Sequence, residues 1–223
     1  MHKEKGGSSV MCGRYGLPTK ISKAVENLEF YREIARLRDR IPKQNEAYPG
    51  SKVPVVRKRL TMNTVEFIQW GIKPDWADKT LINARKENIM SSNFWRNFFL
   101  QERCLIPASY FVEWQMSEGK KIPWQVSLND KEMFFFAGFI VKLQDKKNEN
   151  TESCVILTEG ANSLMKEIHN YGPNRHRQPL ILSDEKHESW ISNSDLTDML
   201  SEESLSSENM KASKVNDNQA LLF

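Results

Sequence analysis

The first candidate for chemistry is a cysteine directly behind an internal methionine. The segment MCGRY places Cys12 after Met11, behind the stretch MHKEKGGSSV. If Met11 is absent from the mature chain, Cys12 carries a free amine of pKa ~8 and a thiol of pKa ~8.5 on adjacent carbons. Such an amine forms a Schiff base with an aldehyde, and the thiol can then close a five-membered thiazolidine ring. The alternative is a small buried cysteine after an incidental methionine.

A second candidate is a carboxylate within an apolar strand. Glu113 lies between Val112 and Trp114 in RCLIPASYFVEW. A carboxyl group in such surroundings has a raised pKa, which suits a general acid or base. Strict alternation along a strand offers the alternative, in which Glu113 faces solvent while its two neighbours face the core. The residues alone leave both orientations open.

The segment WGIKPDWADKTLINARKENI mixes basic and aromatic residues. Asn83, Arg85 and Lys86 lie close together, downstream of Trp70 and Trp76. Cations that meet phosphates and rings that stack on bases suit a single-stranded nucleic acid. A solvated basic loop beside core tryptophans is the alternative reading.

Two histidines flank a turn in KEIHNYGPNRHRQPLIL. They are His169 and His176, and Arg175 and Arg177 add local positive charge. A single histidine is often structural. The sequence has no HxH or HExxH spacing, so it predicts neither a metal site nor a cofactor.

Composition limits the classes of protein that fit. The chain has 223 residues, 39% of them hydrophobic, and a formal net charge of +3, so a nucleic-acid surface would have to be a local patch. Cys12, Cys104 and Cys154 form no CxxC pair, which is typical of a reducing compartment. No stretch approaches the roughly 20 apolar residues of a membrane span, and the leader lacks an apolar core. The sequence therefore predicts a cytoplasmic protein without membrane contact.

The periodicity of apolar residues predicts one α+β domain with a mostly antiparallel sheet. Helical spacing covers residues 20–40, and SSNFWRNFFLQ reads as a helix capped by Ser92 or Asn93. Short helices are predicted in NSLMKEIHN, HESWI and DLTDMLS. Strands are predicted in VPVV, TVEFIQWGI, CLIPASYFVEW, IPWQVSL, MFFFAGFIVKL, ESCVILTEG, LIL and the terminal KVNDNQALLF.

Taken in order, these motifs resemble the SOS response-associated peptidase (SRAP) family, whose members protect abasic sites in single-stranded DNA. The matching pieces span about residues 11–218: MCGRY, VPVV, WGIKPDWA, INARKEN, RCLIPASYFVEW, PWQV, FAGF, ILTEGAN, LMKEIHN, RQPLIL and KVN. The resemblance implies a barrel-like β core flanked by helices, with a positively charged groove for DNA. It also implies a leader at residues 1–11 that is absent from or removed in the mature protein, followed by an SRAP domain at 12–223.

The resemblance further implies a set of catalytic residues. Cys12 would attack the open-chain aldehyde of the abasic sugar and close the thiazolidine. Glu113 would move protons, and Asn83 would orient the N-terminal residue and the sugar. The family's histidine motif reads His, any residue, Arg-Met-Pro, whereas here six residues, YGPNRH, separate His169-Asn170 from Arg-Gln-Pro. His169 keeps the family's preceding isoleucine and is assigned the role at the sugar, with His176 as its rival.

Four residues make up the implied DNA-binding set. Arg14 and Arg85 match the arginines of the family's CGR and NAR motifs and would bind phosphates that flank the lesion. Trp70 and Arg177 complete the set. The implied partner is single-stranded DNA that contains abasic sites. A monomer is the default oligomeric state.

The predicted activity is covalent crosslinking to abasic sites, combined with autopeptidase activity. The alternative is a thiol (auto)peptidase that uses Cys12, Glu113 and His169 and binds single-stranded DNA without a covalent bond. A non-catalytic DNA-binding module is a third reading. Two routes would expose Cys12: translation from Met11 with ordinary methionine removal, which we favour, or self-cleavage of the eleven-residue leader.

Overall fold

The computed structural model of the chain describes residues 13–18, 45–144, 150–192, 200 and 205–215. Within these residues the chain forms strands and short helices. The α-helices are α1 (Arg96–Gln101), α2 (Ser163–Ile168) and α3 (His187–Ile191), and single 3₁₀ turns occur at Lys86–Asn88, Asp184–Lys186 and Ser207–Asn209. The strands are β1 (Tyr15–Gly16), β2 (Glu46–Ala47), β3 (Lys52–Arg59), β4 (Met62–Trp70), β5 (Asn83–Arg85), β6 (Arg103–Ala108), β7 (Tyr110–Ser117), β8 (Lys120–Leu128), β9 (Phe134–Gln144), β10 (Asn150–Gly160), β11 (Arg177–Pro179), β12 (Ile181–Leu182) and β13 (Met210–Lys214).

Five strands close into a barrel in the order β10-β4-β3-β6-β9, because β9 also pairs with β10. Every pair in this ring is antiparallel except β4 with β10. Gly138 of β9 shows how tightly the ring is packed. A side-chain Cβ at this position would lie 2.7 Å from the Ile106 side chain and 2.9 Å from the Val155 carbonyl oxygen. Only glycine fits without displacing its neighbours.

A second, antiparallel sheet lies against the barrel in the order β13-β8-β7-β1-β2. The short strand β1 lies between β2 and β7, and its Tyr15 is fully buried. The Tyr15 ring meets Trp70 and Phe136 of the barrel edge-on, with centroids 4.9 and 5.5 Å apart. These aromatic contacts join the two sheets in one core.

Helices α1 and α3 cover another side of the barrel. Phe99 of α1 and Trp190 of α3 are fully buried, with ring centroids 5.9 Å apart. The Trp190 indole N–H donates to the Cys104 carbonyl at 3.0 Å, and Arg103 Nε donates to the Trp190 carbonyl at 2.7 Å. The Trp190 carbonyl, in the last turn of α3, therefore has a buried side-chain donor.

The predicted α+β domain with a barrel-like, mostly antiparallel core is confirmed. Helix α1 starts at Arg96, later than predicted, and the predicted cap Ser92 accepts a hydrogen bond from the Trp95 amide at 3.0 Å. Within the described residues, the last strand is Met210–Lys214, which ends at the first residue of the predicted strand KVNDNQALLF. The predicted helix at 20–40 lies outside the described residues, as do most of DLTDMLS and residues 216–223.

None of the described helices combines the length and apolar character that a membrane crossing requires.

Candidate functional site

The site is built where the start of the described chain meets strand β7. The Arg14 carbonyl accepts a hydrogen bond from the Val112 amide at 2.9 Å, and Tyr15 pairs with Phe111. Residues 13–14 therefore run beside the part of β7 that carries Glu113. Cys12, the predicted nucleophile, lies outside the described residues.

Glu113 points into the protein. It is 2% exposed, and it shares the inward face of β7 with the fully buried Phe111. Trp114 takes the opposite face and is 42% exposed. Of the two orientations that alternation left open, the structure therefore has the buried carboxyl group.

Helix α2 brings a histidine to this carboxyl group. The Asn162 side chain caps the helix by accepting from the Met165 amide at 2.9 Å, and His169 follows the last helical residue. Met165 is buried in the core, which fixes the helix against β7 and β11. His169 is 3% exposed, and its Nε2 lies 3.9 Å from Glu113 Oε2.

The hydrogen bonding of His169 defines which ring nitrogen is basic. Its Nδ1 lies 3.1 Å from the Arg177 carbonyl oxygen. A carbonyl oxygen only accepts, so Nδ1 carries the hydrogen and donates it. Burial lowers the pKa of His169, and the nearby Arg177 and His176 lower it further, against the opposing effect of the Arg177 carbonyl. The imidazole is therefore neutral near pH 7, with the lone pair of Nε2 free.

The 3.9 Å separation is too long for a direct hydrogen bond between Nε2 and the carboxylate. A hydroxyl oxygen at about 2.8 Å from each atom fits the gap. The pair can thus take a proton from one substrate oxygen and deliver it to another group, as general acid–base catalysis requires.

The rival histidine has a different setting. His176 is exposed and has a backbone φ of +60°. Its amide donates to the His169 carbonyl at 2.7 Å, so it belongs to the loop that follows His169. This geometry supports His169 as the proton-transfer group.

Strands β5 and β11 flank the same end of β10. Asn83 of β5 lies opposite Ile156, and Arg177 of β11 lies opposite Gly160. Asn83 is half-buried, whereas Arg85, two residues on, is exposed and donates to the Asn174 side chain at 3.0 Å. The NAR segment therefore lies on the sheet that also positions the His169 ring.

The other two arginines of the predicted DNA-binding set, Arg14 and Arg177, are paired with carboxylates. Arg177 makes a two-point ion pair with Glu87, at 3.2 and 2.8 Å, and also donates to the Thr158 carbonyl. Burial raises the pKa of Glu87, but the Arg177 guanidinium outweighs this and the net pKa is lowered. Arg14 donates to Glu46 at 2.9 Å, and both arginine side chains are only 12% exposed. Of the three predicted arginines, Arg85 has the exposed side chain.

Glu46 is a structural centre that the sequence did not indicate. Its carboxylate accepts hydrogen bonds from Arg14 Nε, from the Tyr48 hydroxyl at 2.6 Å and from the Tyr110 hydroxyl at 2.7 Å. The Tyr110 ring lies over Gly16, where a Cβ would come within 2.3 Å of it. This cluster, which we call the Glu46 clamp, holds β1 in place. Its members are far apart in sequence, so only the Glu46-x-Tyr48 spacing offered a signal.

The prediction that Trp70 contacts DNA is wrong. Trp70 is fully buried, and its indole N–H donates to the Ile82 carbonyl at 3.2 Å. A ring enclosed in the core has no face to offer a base. The tryptophan that this segment exposes is Trp76, at 66%.

The described residues contain no group of three or more His, Cys, Asp or Glu side chains that could hold a metal ion. The buried thiols of Cys104 and Cys154 have pKa values raised by burial, which makes both groups poor nucleophiles.

The chain matches one protein family over almost its whole length. A sequence profile described as "SOS response associated peptidase (SRAP)" matches residues 11–219. Abasic site processing protein YoqW of Bacillus subtilis is 30% identical over 193 residues, covering 81% of this chain and 80% of that protein. Abasic site processing protein YedK of Escherichia coli is 28% identical over 186 residues, covering 81% of this chain and 79% of that protein.

Solved structures share the fold. The crystal structure of a protein from Bacteroides thetaiotaomicron superposes with a TM-score of 0.75 at 22% identity, covering 93% of each chain. A protein from Bordetella bronchiseptica superposes with a TM-score of 0.72 at 20% identity, covering 92% of this chain and all of that chain. At these identities the likeness shows the fold.

Proposed function

Because the chain belongs to the SOS response associated peptidase (SRAP) family, we propose that it processes abasic sites in single-stranded DNA by covalent capture through Cys12. The amine and thiol of Cys12 together bind the aldehyde carbon of the ring-opened sugar. Glu113 and His169 move the protons, Asn83 orients the reacting groups, and Arg85 binds a neighbouring phosphate.

The proposed reaction has two bond-forming steps. The Cys12 amine adds to the aldehyde carbon, and the resulting carbinolamine loses water to give an iminium ion. The Cys12 sulfur then adds to the same carbon and closes a thiazolidine, while its proton leaves for a nearby base. One water is lost overall, and no oxidant, metal or cofactor is consumed.

A thiazolidine also explains why an aminothiol suits this task. An iminium ion attracts electrons and promotes β-elimination, which would cleave the DNA strand at the lesion. Ring closure converts that carbon to a saturated one, so the driving force for elimination is lost. Without the adjacent thiol, the reaction would stop at the iminium ion, which promotes elimination.

The observation that carries the proposal is the buried pair of Glu113 and His169 next to the start of the described chain. The two groups lie 3.9 Å apart, each at most 3% exposed, beside the strand that binds the Arg14 backbone. His169 has its Nδ1–H bound, so its Nε2 can accept a proton from the sugar hydroxyl as the ring opens. A buried carboxylate and a neutral imidazole at this distance suit acid–base chemistry better than an ion pair does.

The direct test uses protein that begins at Cys12 and a single-stranded oligonucleotide with one abasic site. We expect a heat-stable crosslink on a denaturing gel, and none with Cys12→Ala. Cys12→Ser is the matched control in size, and like Cys12→Ala it keeps the backbone amine and lacks the thiol. Both variants should give an adduct that is stable only after borohydride reduction, together with more strand cleavage. Equal crosslinking by wild type and Cys12→Ala would contradict the proposal.

A thiol (auto)peptidase is the second candidate, because the family model that matches residues 11–219 is described as a peptidase. Cys12, His169 and Glu113 would then act on the Met11–Cys12 bond. Mass analysis of the purified chain that starts at Met1 decides between the two. Loss of residues 1–11 in wild type, but not in Glu113→Gln, would favour self-cleavage. An intact leader would leave the crosslinking reaction to chains that start at Met11.

A further inference from the structure

Residues 170–176, which we call the rim loop, form a closed excursion directly after His169. The His176 amide donates to the His169 carbonyl at 2.7 Å, so the chain returns to the point at which it left. Gly172 has a φ of +91°, and the Arg175 amide donates to the Gly172 carbonyl at 3.2 Å. The loop is therefore a defined turn at the edge of the Glu113–His169 pair.

The rim loop is fastened on two sides of the site. The Asn170 side chain accepts from the Met116 amide at 2.8 Å and donates to the Met116 carbonyl at 3.1 Å, as a strand partner of β7 would. On the other side, the Asn174 side chain accepts from Arg85 at 3.0 Å. The loop thus connects the strand that carries Glu113 with the exposed arginine of the NAR segment.

The surface of the rim loop is aromatic and basic. Tyr171 is 51% exposed, and Lys121 Nζ, from the β7–β8 hairpin, lies 5.8 Å from the centroid of its ring. Arg175 is exposed, and residues 170–176 contain no acidic side chain. The nearest acidic residues in sequence to these groups are Glu118 on the hairpin and Glu167 on α2, both exposed.

We propose that the rim loop is a binding site for one nucleotide of the single strand that flanks the captured lesion. The base stacks on Tyr171, and Lys121 and Arg175 bind the adjoining phosphate. A ring bordered by cations suits a nucleotide because bases offer an aromatic face and phosphates a negative charge. This inference rests on the proposed function, since it assigns a flanking subsite to the same active site.

The nucleotide must belong to an unpaired strand. A base that stacks on an exposed tyrosine has to leave its own stack, and this is easiest where no partner strand holds it. Because stacking is indifferent to the identity of the base, the subsite adds affinity without sequence preference. It would thus suit a protein that meets lesions in any sequence context.

The test measures non-covalent binding of single strands that carry an aldehyde-free abasic-site analogue, so that it does not depend on crosslinking. Fluorescein-labelled oligonucleotides with this analogue are extended one nucleotide at a time, on the 5′ side or on the 3′ side. For wild type, one added nucleotide on one side should strengthen binding about fivefold or more, the usual effect of one base–aromatic stack. This step should disappear in Tyr171→Ala and persist in Tyr171→Phe, which keeps the ring.

Two controls separate the loop from general effects. Leu60→Ala changes a side chain that is 98% exposed on the β3–β4 turn and should leave the whole series unchanged. Lys121→Ala with Arg175→Ala should weaken binding and reduce its dependence on salt. An unchanged extension series in Tyr171→Ala overturns the inference, as does an equal loss in Tyr171→Phe or an equal step with a double-stranded flank. A wild type that binds the series but forms no crosslink would refute the proposed function and leave the rim-loop measurement interpretable.

Discussion

Replacing Glu46 by glutamine should loosen the clamp that holds β1. The carboxylate accepts hydrogen bonds from Arg14, Tyr48 and Tyr110, at 2.9, 2.6 and 2.7 Å. A hydrogen bond to a charged group contributes about 1 kcal/mol more than a neutral one, so three give an upper bound of about 3 kcal/mol. Because the Arg14 and Glu46 side chains are 12% and 17% exposed, solvent screens part of this effect. We expect a loss of about 2 kcal/mol in the free energy of unfolding.

The same variant has a defined dependence on pH. Burial alone raises the pKa of Glu46, but the hydrogen bonds from Arg14, Tyr48 and Tyr110 lower it more, so the net pKa lies below its ordinary value. A carboxyl group with a lowered folded-state pKa stabilises the fold above its unfolded pKa. That stabilisation disappears as pH falls through the folded pKa. Wild type and Glu46→Gln should therefore differ most near pH 7, and the difference should shrink as pH falls below the ordinary carboxyl pKa.

Urea unfolding followed by tryptophan fluorescence at pH 7 and at pH 3 measures both effects. Glu118→Gln is the matched control, because that carboxylate lies on the exposed β7–β8 turn and should matter little. If the free energy of unfolding of Glu46→Gln at pH 7 lies within about 0.5 kcal/mol of the wild-type value, the Glu46 clamp does not stabilise the fold as argued. An equal loss at both pH values would show that the charge of Glu46 is not the cause.

Substitutions at Gly16, His169 and Trp70 should have separable effects on stability, crosslinking and DNA binding. Gly16→Ala places a Cβ 2.3 Å from the Tyr110 ring and should lower the free energy of unfolding by about 2 kcal/mol in the same urea assay. A variant as stable as wild type would show that the Tyr110 ring can move aside. His169→Gln should slow crosslinking about 100-fold at pH 7.5. Because burial lowers the pKa of His169, the ratio of wild-type to variant rate should stay constant down to about pH 6.5 and fall only below it; a ratio that already declines above pH 7 would contradict a neutral imidazole. Trp70→Phe loses the hydrogen bond to the Ile82 carbonyl and should lower the free energy of unfolding by about 2 kcal/mol. Its affinity for single-stranded DNA should be unchanged. Weaker DNA binding by the folded variant would show that Trp70 contributes to the DNA-binding surface.

Local patterns predicted most of the strands because each motif carries its own alternation and turn residues. The same alternation also indicates that Trp70 is buried. Ile68 and Trp70 share the inward face of β4, with the exposed Gln69 between them. The basic and aromatic composition of the segment does not by itself distinguish the buried Trp70 from the exposed Trp76.

Contacts between distant segments could not be predicted from the sequence. Nothing near Arg14 or Arg177 indicates that Glu46 and Glu87 neutralise them, since the partners of each pair are 32 and 90 residues apart. The approach of His169 to Glu113 depends on how α2 packs between two sheets, which is a property of the tertiary fold. Composition thus indicated the kinds of group in the site, and the fold decided which of them are buried or paired.

We propose that Cys12, as the first residue of the mature chain, forms a covalent bond with an abasic site. Intact-mass analysis of the protein after incubation with an abasic single-stranded oligonucleotide tests it most directly. We expect one new species whose mass equals that of the chain beginning at Cys12 plus the oligonucleotide minus one water. This species should be absent with undamaged DNA and with Cys12→Ala. A protein that begins at Cys12 and yields no such species, or an adduct that survives in Cys12→Ala, would contradict it.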